Sequence, residues 1–201
     1  MSLLGLKTFR HGVHPPEAKD DTKGMPIRQF PFAPLLVVPL VQHAGKPSIP
    51  VVREGQEVTR GQRIAQPDGF MSVAMHAPAS GTVKRIALAP GISGRMVPSV
   101  YLQPFPGSTQ EVMEGKPCPL DAPPDQIVTA IQEAGVVGLG GAAFPTHVKL
   151  KLPEGKSVDT LILNGAECEP FLTTDHRVML EQSGDLFLGA RYLLRVTGAT
   201  R

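Results

Sequence analysis

The chain has 201 residues and a net charge of +2; only 5% of its residues are aromatic and it contains no Trp. Without a basic excess or a stacking surface, nucleic-acid binding is not expected. The longest aliphatic run, residues 35–41, is far shorter than the ~20 residues of a membrane helix, and residues 1–12 lack the pattern of a secretory signal. The composition therefore predicts a cytosolic protein, or one peripheral to a membrane that it does not cross.

Residues 1–34 are predicted to form an N-terminal arm. His11, His14 and Glu17 have the H-x-x-H-x-x-E spacing of a metal site. Pro15 and Pro16 lie between them and break the helix that would align the three side chains. We therefore expect a structured arm and no metal site.

Residues 35–106 have the pattern of short β-strands separated by turns. In VVREGQEVTRGQRIAQ, a valine precedes a glycine by three positions at Val52 and Gly55 and again at Val58 and Gly61. This spacing is typical of strands joined by tight turns that favour glycine. A second cluster, SVAMHAPASGTVKRI, predicts a strand, a turn and a strand. Together these patterns predict a flattened barrel or sandwich.

The same region resembles the biotinyl/lipoyl-like barrel-sandwich domains. The resemblance lies in V-x-x-G-x-x-V-x-x-G-Q-x-I followed by A-P-x-S-G-T-V. Carrier members of that group present a lysine at a hairpin tip, whereas QPDGFMSVAMHAP, residues 66–78, contains none. The resemblance therefore implies the scaffold without the swinging arm. It argues against a carrier function, and we expect this hairpin to pack against another domain or another polypeptide of a complex.

Residues 107–124 are rich in proline and polar residues and are predicted to be a linker. The pattern then changes to helix, glycine-rich loop, strand, loop and helix, which predicts part of an open α/β sheet over residues 125–201. The run DTLILNGA, residues 159–166, is predicted to be a strand buried on both faces. Because it is the only convincing strand, we expect an incomplete domain. Two helices are predicted here; in each, the apolar residues share one face, and the helix is expected to end at the next glycine. The apolar residues are Ile127, Ala130, Ile131 and Ala134 before Gly135, and Leu186, Phe187, Ala190, Leu193 and Leu194 before Gly198.

The loop GLGGAAFPTHVKLK, residues 138–151, combines a glycine run with lysines. Glycines expose backbone N–H groups to a ligand, and Pro145 suits the first turn of a short helix that carries Lys149. The pattern is neither a P-loop nor the dinucleotide fingerprint. From glycine content alone, a phosphate site and a plain tight connection are equally open.

A second group of polar residues follows the predicted strand. Asn164, Glu167 and Glu169 lie at its carboxyl end, where open α/β sheets bind ligands. An amide and two carboxylates suit ribityl hydroxyls and the edge of a heterocycle. For any one of them, a solvated loop residue or a turn cap is the more common role. Their grouping after a strand favours a binding site.

The remaining cysteines, histidines and acidic residues carry weaker signals. The sequence allows one disulfide, between Cys118 and Cys168. Two thiolates cannot hold an ordinary iron–sulfur cluster or a closed zinc site. Asp175 is expected to cap the helix that follows it. Four histidines lie beyond the arm. His43 and His76 are expected to make structural hydrogen bonds. His147 and His176 are expected to bind either phosphate or backbone groups.

Two motifs together give a more specific resemblance. G-L-G-G-A-A-F-P-T-H-V-K-L with L-N-G-A-E-C-E-P-F-L-T-T-D-H is similar to the C subunit of the Rnf (Rsx) electron transport complex. The Rnf protein is a relative of the NADH-binding flavoprotein of respiratory complex I. HGVHPPEAKDDT, PLVQHAGKP and the barrel half fit the same family. The resemblance implies a barrel-sandwich domain followed by part of a Rossmann-like domain that binds FMN and NADH.

The resemblance also assigns roles by position. It places Phe144 near the NADH adenine or ring stack. The residues that it implies bind the FMN phosphate and the dinucleotide are Gly138, Gly140, Gly141 and Lys149. The residues implied to face the flavin are Asn164 and Glu167, with Glu169 a weaker candidate. The sequence departs from the complex I pattern in three places. It has Leu139 where the relative has arginine, Ala143 where the relative has glycine, and Ala166 where the relative has aspartate. These departures imply weaker cofactor affinity.

By this resemblance, the intact protein passes a hydride from NADH to FMN and then single electrons to 4Fe–4S clusters, which lie outside these residues. It implies the other proteins of the complex and ferredoxin or a similar carrier as partners, and a peripheral location on the cytoplasmic face of the bacterial inner membrane. The alternative is a non-catalytic assembly or docking role. The A subunit of the Na⁺-translocating quinone reductase, which shares the fold without an equivalent hydride-transfer role, keeps that alternative open.

Overall fold

The computed structural model describes residues 15–113 and 115–201. Contacts between α-carbons divide the described chain into two compact units. The first unit contains the residues up to Arg28 together with Ile162–Leu188, and the second contains Gln29–Leu161 together with Gly189–Arg201. His11 and His14 lie outside the described residues, so the structure does not bear on the expectation for the arm's histidines.

The second unit begins with a β-sandwich built from two antiparallel sheets. One sheet has the strand order β1-β7-β6-β3 and the other the order β2-β4-β5. The seven strands are β1 (Leu36–Pro39), β2 (Ile49–Pro50), β3 (Glu57–Val58), β4 (Arg63–Gln66), β5 (Met75–His76), β6 (Gly81–Pro90) and β7 (Met96–Pro104). The predicted barrel-sandwich architecture is confirmed. The β6–β7 hairpin is longer than the short strands expected, with strands of ten and nine residues.

Both sheets contribute to one hydrophobic core. In β7, the core members Val100 and Leu102 lie two positions apart, because successive side chains of a strand point to opposite faces. In β4, where the register with β5 shifts, the neighbouring residues Ile64 and Ala65 are both buried. The tight turns are formed where the sequence predicts them, and Gly55 and Gly61 adopt φ values of 79° and 89°, in the region that favours glycine. The buried core residues are Val38, Leu40, Val52, Val58, Ile64, Ala65, Met75, Ala77, Ala79, Val83, Val100 and Leu102.

His43 lies at the edge of this core and is structural, as expected. Its side chain is 7% exposed, and Nε2 lies 2.8 Å from the carbonyl oxygen of Lys46. A carbonyl only accepts, so Nε2 carries the proton and donates it. Burial lowers the pKa of His43, because the low-dielectric surroundings disfavour the imidazolium form.

A short α-helical region follows the sandwich in the second unit. Its elements are α2 (Pro124–Glu133), β8 (Val137–Gly138), β9 (Phe144–Pro145) and α3 (Thr146–Leu150). The apolar face of α2 buries Ile127, and Gly135 follows the helix with φ 74°. A Cβ atom at Gly135 would lie 2.5 Å from the carbonyl oxygen of Ala74, so this position also requires glycine for close packing. The predicted helix is confirmed.

The strand predicted over residues 159–166 is wrong for this structure. No helix or strand includes these residues, and the side chain of Ile162 is 81% exposed. A buried strand needs hydrogen-bonded neighbours. Among the described residues, the backbone of this run has two such bonds at its beginning, from Thr200 N to Asp159 O (3.1 Å) and from Leu161 N to Arg201 O (2.7 Å).

The first unit joins the N-terminal arm to the segment around α4. It contains α1 (Asp20–Lys23), α4 (Thr174–Glu181) and the beginning of α5 (Ser183–Thr197), which ends in the second unit. Arg177 Nη1 donates to the carbonyl of Lys23 at 3.1 Å, and the Glu181 carboxylate accepts from the backbone N–H of Ile27. The hydrogen bond from Arg177 is the main reason that the pKa of Glu181 is lowered. These contacts attach the arm to α4.

The second predicted helix is confirmed as α5, and Gly198 follows it with φ 72°. Tyr192 in this helix donates a hydrogen bond to the carbonyl of Cys118. Within the described ranges, none of the helices is both long and apolar enough to cross a lipid bilayer.

The buried His43 predicts a pH-dependent stability. Its folded pKa lies below its unfolded pKa, so the unfolded chain takes up the proton first as the pH falls. The contribution is fully present above about pH 6.5 and is lost on acidification toward the folded pKa. We expect the free energy of unfolding, measured by urea denaturation, to fall between pH 7 and pH 5 by at most about 1.4 kcal/mol per pH unit for this group.

The variant His43→Gln tests this expectation. Glutamine keeps an N–H donor for the Lys46 carbonyl and does not titrate, so its stability should change less between the two pH values. His176→Gln, on the exposed surface of α4, controls for the loss of a histidine. Equal pH slopes for the wild type and His43→Gln would contradict the prediction.

Candidate functional site

The glycine-rich loop is an exposed turn closed by a short β-ladder. Gly138 in β8 pairs with Phe144 in β9, and the residues between them form the loop. Leu139 at its start is 87% exposed. Cβ atoms added at Gly140 or Gly141 would meet nothing within 4 Å. The backbone N–H groups of Gly140 and Gly141 donate no hydrogen bond to any residue in the described part of the chain, so they remain available to an anionic ligand.

Lys149 brings a positive charge to this loop. Its Nζ atom lies 2.8 Å from the position that a Cβ atom at Gly138 would occupy and 6.0 Å from the centroid of the Phe144 ring. The absence of a side chain at Gly138 lets the ammonium group lie directly against the loop. The structure therefore brings together the predicted residues Gly138, Gly140, Gly141, Phe144 and Lys149.

Ala143 ends the loop in a backbone conformation that favours glycine. Its φ is 51°, a value that costs an L-residue roughly 1–2 kcal/mol. Its carbonyl oxygen accepts a hydrogen bond from the N–H of Ala44 at 3.1 Å. Glycine stands at this position in the complex I pattern, and the chain keeps a left-handed backbone here although it has alanine.

A segment of the sandwich supports this region. We call residues 67–74, between β4 and β5, the barrel hairpin; the resemblance to carrier domains implies that this is the segment where those domains present their lysine. The side-chain Nε2 of Gln132 in α2 donates to the carbonyls of Gly69 and Ser72, and Nε2 of His147 in α3 donates to the carbonyl of Phe70. The hairpin thus packs against the helices that follow the sandwich, within the same compact unit; whether those helices form a separate domain, as expected, stays a prediction. His147 is completely buried and binds backbone, one of the two roles left open.

A cavity of about 240 Å³ lies between the sandwich and the start of the loop. Its lining includes His43, His76, Val137 and Leu139. The pKa of His76 is lowered, mainly by burial and further by the nearby Arg63 guanidinium. Both histidines are therefore neutral at pH 7, and the cavity adds no positive charge to that of Lys149.

The second predicted group, in the first unit, is largely engaged by its own backbone. Asn164 Oδ1 accepts from the N–H of Ala166 at 3.0 Å, which forms a local turn. Glu167 Oε1 accepts from the N–H groups of Thr174 (2.9 Å) and Asp175 (3.2 Å) at the start of α4. Glu169 is exposed. Asn164 and Glu167 thus shape the loop and the helix start.

The expectation that Asp175 caps this helix is wrong. Asp175 lies in the first turn, and the residue before the helix, Thr173, makes no side-chain capping bond. The Glu167 carboxylate, seven positions before the helix starts, satisfies two of the free N–H groups instead. Helix-capping patterns examine only the adjacent residues, so no sequence signal identified Glu167 in this role.

The thiols and acidic residues form no metal site in the described part of the chain. Cys118 and Cys168 are both free. Over the described ranges, no group of three or more His, Cys, Asp and Glu side chains is arranged to hold a metal ion.

Comparisons with known proteins match both halves of the chain. Residues 7–104 match the RnfC barrel sandwich hybrid domain. Residues 131–201 match the Nuo51 FMN-binding domain. The second match includes the glycine-rich loop, Lys149 and the Asn164–Glu169 segment.

Several relatives are similar over nearly all of the chain. They include the C subunit of the Na⁺-translocating ferredoxin:NAD⁺ oxidoreductase complex of Acetobacterium woodii (39% identity over 96% of this chain and 44% of the relative). Its proton-translocating counterpart from Clostridium ljungdahlii is 40% identical over 95% of this chain and 42% of the relative. The C subunit of the ion-translocating oxidoreductase complex of Pseudomonas aeruginosa is 38% identical over 96% of this chain and 25% of the relative.

The chain thus spans less than half the length of each of these relatives. The two matched domains follow each other in the same order as the sandwich and the α/β region of the fold. The relatives are also similar across the junction between the two domains. The chain thus contains an RnfC barrel sandwich hybrid domain followed by a Nuo51 FMN-binding domain, and over nearly its whole length it is similar to C subunits of ion-translocating oxidoreductase complexes.

Proposed function

We propose that this chain forms the phosphate-binding side of an FMN and NADH site in an electron transport protein. The observation that carries the proposal is the exposed loop with free N–H groups and Lys149 against it. The N–H groups of Gly140 and Gly141 would donate to phosphate oxygens, and Lys149 would neutralise the negative charge. Phe144, whose ring is near Lys149, would stack against the dinucleotide.

On the flavin side we propose different roles for the three polar residues. Glu169 is exposed and offers a carboxylate to ribityl hydroxyls or to the heterocycle. Asn164 and Glu167 act through the backbone that they hold. FMN held by these residues would supply the redox chemistry: it would accept a hydride from NADH and would release the two electrons one at a time to the proposed 4Fe–4S clusters of the intact protein.

The proposed partners rest on the names of the relatives, and the proposed location rests on the resemblance to the Rnf complex. The A. woodii and C. ljungdahlii relatives are named as subunits of ion-translocating ferredoxin:NAD⁺ oxidoreductase complexes. By analogy, we propose that this protein works with the other proteins of such a complex and with ferredoxin or a similar carrier. We place it peripherally, on the cytoplasmic face of the bacterial inner membrane.

A second candidate function is a non-catalytic assembly role in the same type of complex. Two observations favour it. Asn164 and Glu167 are engaged by local backbone, and Leu139 stands in the exposed loop where the complex I pattern has arginine. In this alternative the FMN-binding domain supports the complex and binds no flavin.

The visible spectrum of the intact protein distinguishes the two functions. If the first is right, the purified protein should show flavin absorbance that bleaches on anaerobic addition of NADH. The absorbance should return when an electron acceptor is added. A colourless protein that takes up no FMN would overturn the first function and support the second.

The variant Lys149→Ala tests the phosphate side. A charged hydrogen bond contributes about 1.5–3 kcal/mol, so we expect FMN affinity to fall roughly 10- to 100-fold. FMN dissociation constants measured by flavin fluorescence check this. Lys156→Ala, which removes an exposed lysine outside residues 138–151, is the matched control. Unchanged affinity in Lys149→Ala would remove Lys149 from the site.

The variant Glu167→Ala tests the structural role of that carboxylate. Loss of a helix cap costs about 1 kcal/mol, so thermal or urea unfolding should occur earlier. Glu167→Gln keeps an oxygen acceptor and should restore most of the lost stability. If Glu167→Ala loses flavin without losing stability, Glu167 contacts the cofactor directly rather than through the helix.

A further inference from the structure

We propose that the barrel hairpin positions the glycine-rich loop for cofactor binding, and that Gln132 and His147 are positioning residues of the flavin site. The inference rests on the proposed function, because it assumes that the loop holds the FMN phosphate. It adds a role for the sandwich, which has the scaffold of a carrier domain without a lysine in the hairpin. The hairpin contacts α2, which precedes the exposed turn of the loop at residues 139–143, and α3, which follows that turn.

Gln132 fixes the chain before the loop. Its side-chain Nε2 donates to the carbonyls of Gly69 (3.0 Å) and Ser72 (2.9 Å). Its own carbonyl accepts from the N–H of Ala74 at 3.2 Å. Gly135 lies so close to the hairpin that a Cβ atom would be 2.5 Å from the Ala74 carbonyl oxygen. The end of α2 is therefore held against the hairpin by three hydrogen bonds and a close backbone contact.

His147 fixes the chain after the loop. Its side chain is completely buried, and Nε2 donates to the carbonyl of Phe70 at 2.7 Å. The imidazole and the Phe70 ring are perpendicular, with centroids 5.2 Å apart. Lys149 follows two positions later in the same short helix. A shift of His147 relative to the hairpin would therefore also move the Lys149 ammonium relative to Gly138.

The loop needs this external support because its own contacts are few. Leu139 through Ala142 are exposed, and the N–H groups of Gly140 and Gly141 have no partner among the described residues. Groups that bind a ligand must be held to within about 0.5 Å, and contacts behind the binding groups provide that precision. Here those contacts come from the hairpin on both flanks and from Ala44, whose N–H donates to the Ala143 carbonyl.

The test replaces His147 in the intact protein and measures FMN binding by the folded fraction. His147→Leu removes the donor and keeps apolar volume, and we expect it to raise the FMN dissociation constant about tenfold or more, because misplacement of a binding group by about 1 Å is costly. His147→Gln keeps an N–H donor and should recover most of the affinity. Circular dichroism defines the folded fraction. Gln132→Ala repeats the test on the other flank and replaces it if His147→Leu does not fold.

Val52→Ala is the control for general loss of stability. Val52 belongs to the sandwich core and takes no part in the hydrogen bonds that join the hairpin to α2 and α3. Its truncation should therefore lower the melting temperature and leave FMN affinity unchanged. The inference is overturned if His147→Leu and Gln132→Ala bind FMN as tightly as the wild type. It is also overturned if Val52→Ala loses as much affinity at equal loss of stability.

The Lys149→Ala variant separates this inference from the proposed function. If Lys149→Ala weakens FMN binding and the His147 and Gln132 variants do not, the phosphate site stands and the positioning role is wrong. If none of the three weakens binding, the loop is not the phosphate site and both proposals fail. Weakening by all three, with rescue by His147→Gln, supports both.

Discussion

The hydrogen bond from His147 to the carbonyl of Phe70 is the buried polar contact through which α3 is held against the sandwich. It joins the sandwich to the helix that carries Lys149, and it is completely buried on the His147 side. A buried imidazole without a partner would cost free energy, so the hairpin and α3 must keep this geometry together. Gln132 makes the corresponding contacts from α2. The glycine-rich loop lies between these two fixed points.

This arrangement gives the barrel hairpin a packing role although it contains no lysine to carry a cofactor. In a carrier domain the hairpin tip must remain accessible. Here the same segment gives its backbone carbonyls to two helices, and Arg63 in β4 pairs with Glu133 in α2 beside it. The side chains of Phe70 and Met71 at its tip remain exposed, and the hairpin contacts α2 and α3 chiefly through backbone groups, which require the right conformation more than a particular side chain.

The two polar loops differ in how much they offer a ligand. The glycine-rich loop leaves N–H groups free and has an ammonium group beside it, which suits an anion. In the other loop, Asn164 and Glu167 satisfy backbone N–H groups of their own segment. The resemblance to the complex I pattern implies that both loops bind the cofactor. The contacts leave the N–H groups of the first loop without a partner among the described residues and engage Asn164 and Glu167 within their own segment.

The sequence by itself determined the features that depend on near neighbours. Helical periodicity predicts α2 and α5, glycine spacing predicts the turns at Gly55 and Gly61, and the missing lysine in residues 66–78 predicts a packed hairpin. Local patterns are sufficient here because the side chains and turns concerned interact within a few positions. The motifs around the two loops were sufficient to identify the family.

The tertiary structure alone decided which groups meet across long distances in the chain. The His147 and Phe70 partners are 77 positions apart, and no sequence rule pairs them. Glu167 replaces Asp175 as the helix cap because its loop folds back onto α4. The apolar run at residues 159–166 has the composition of a buried strand, but a strand forms only where neighbouring backbone supplies its hydrogen bonds. Such partners are set by the fold, because hydrogen-bonding groups distant in sequence become neighbours only when the chain has packed.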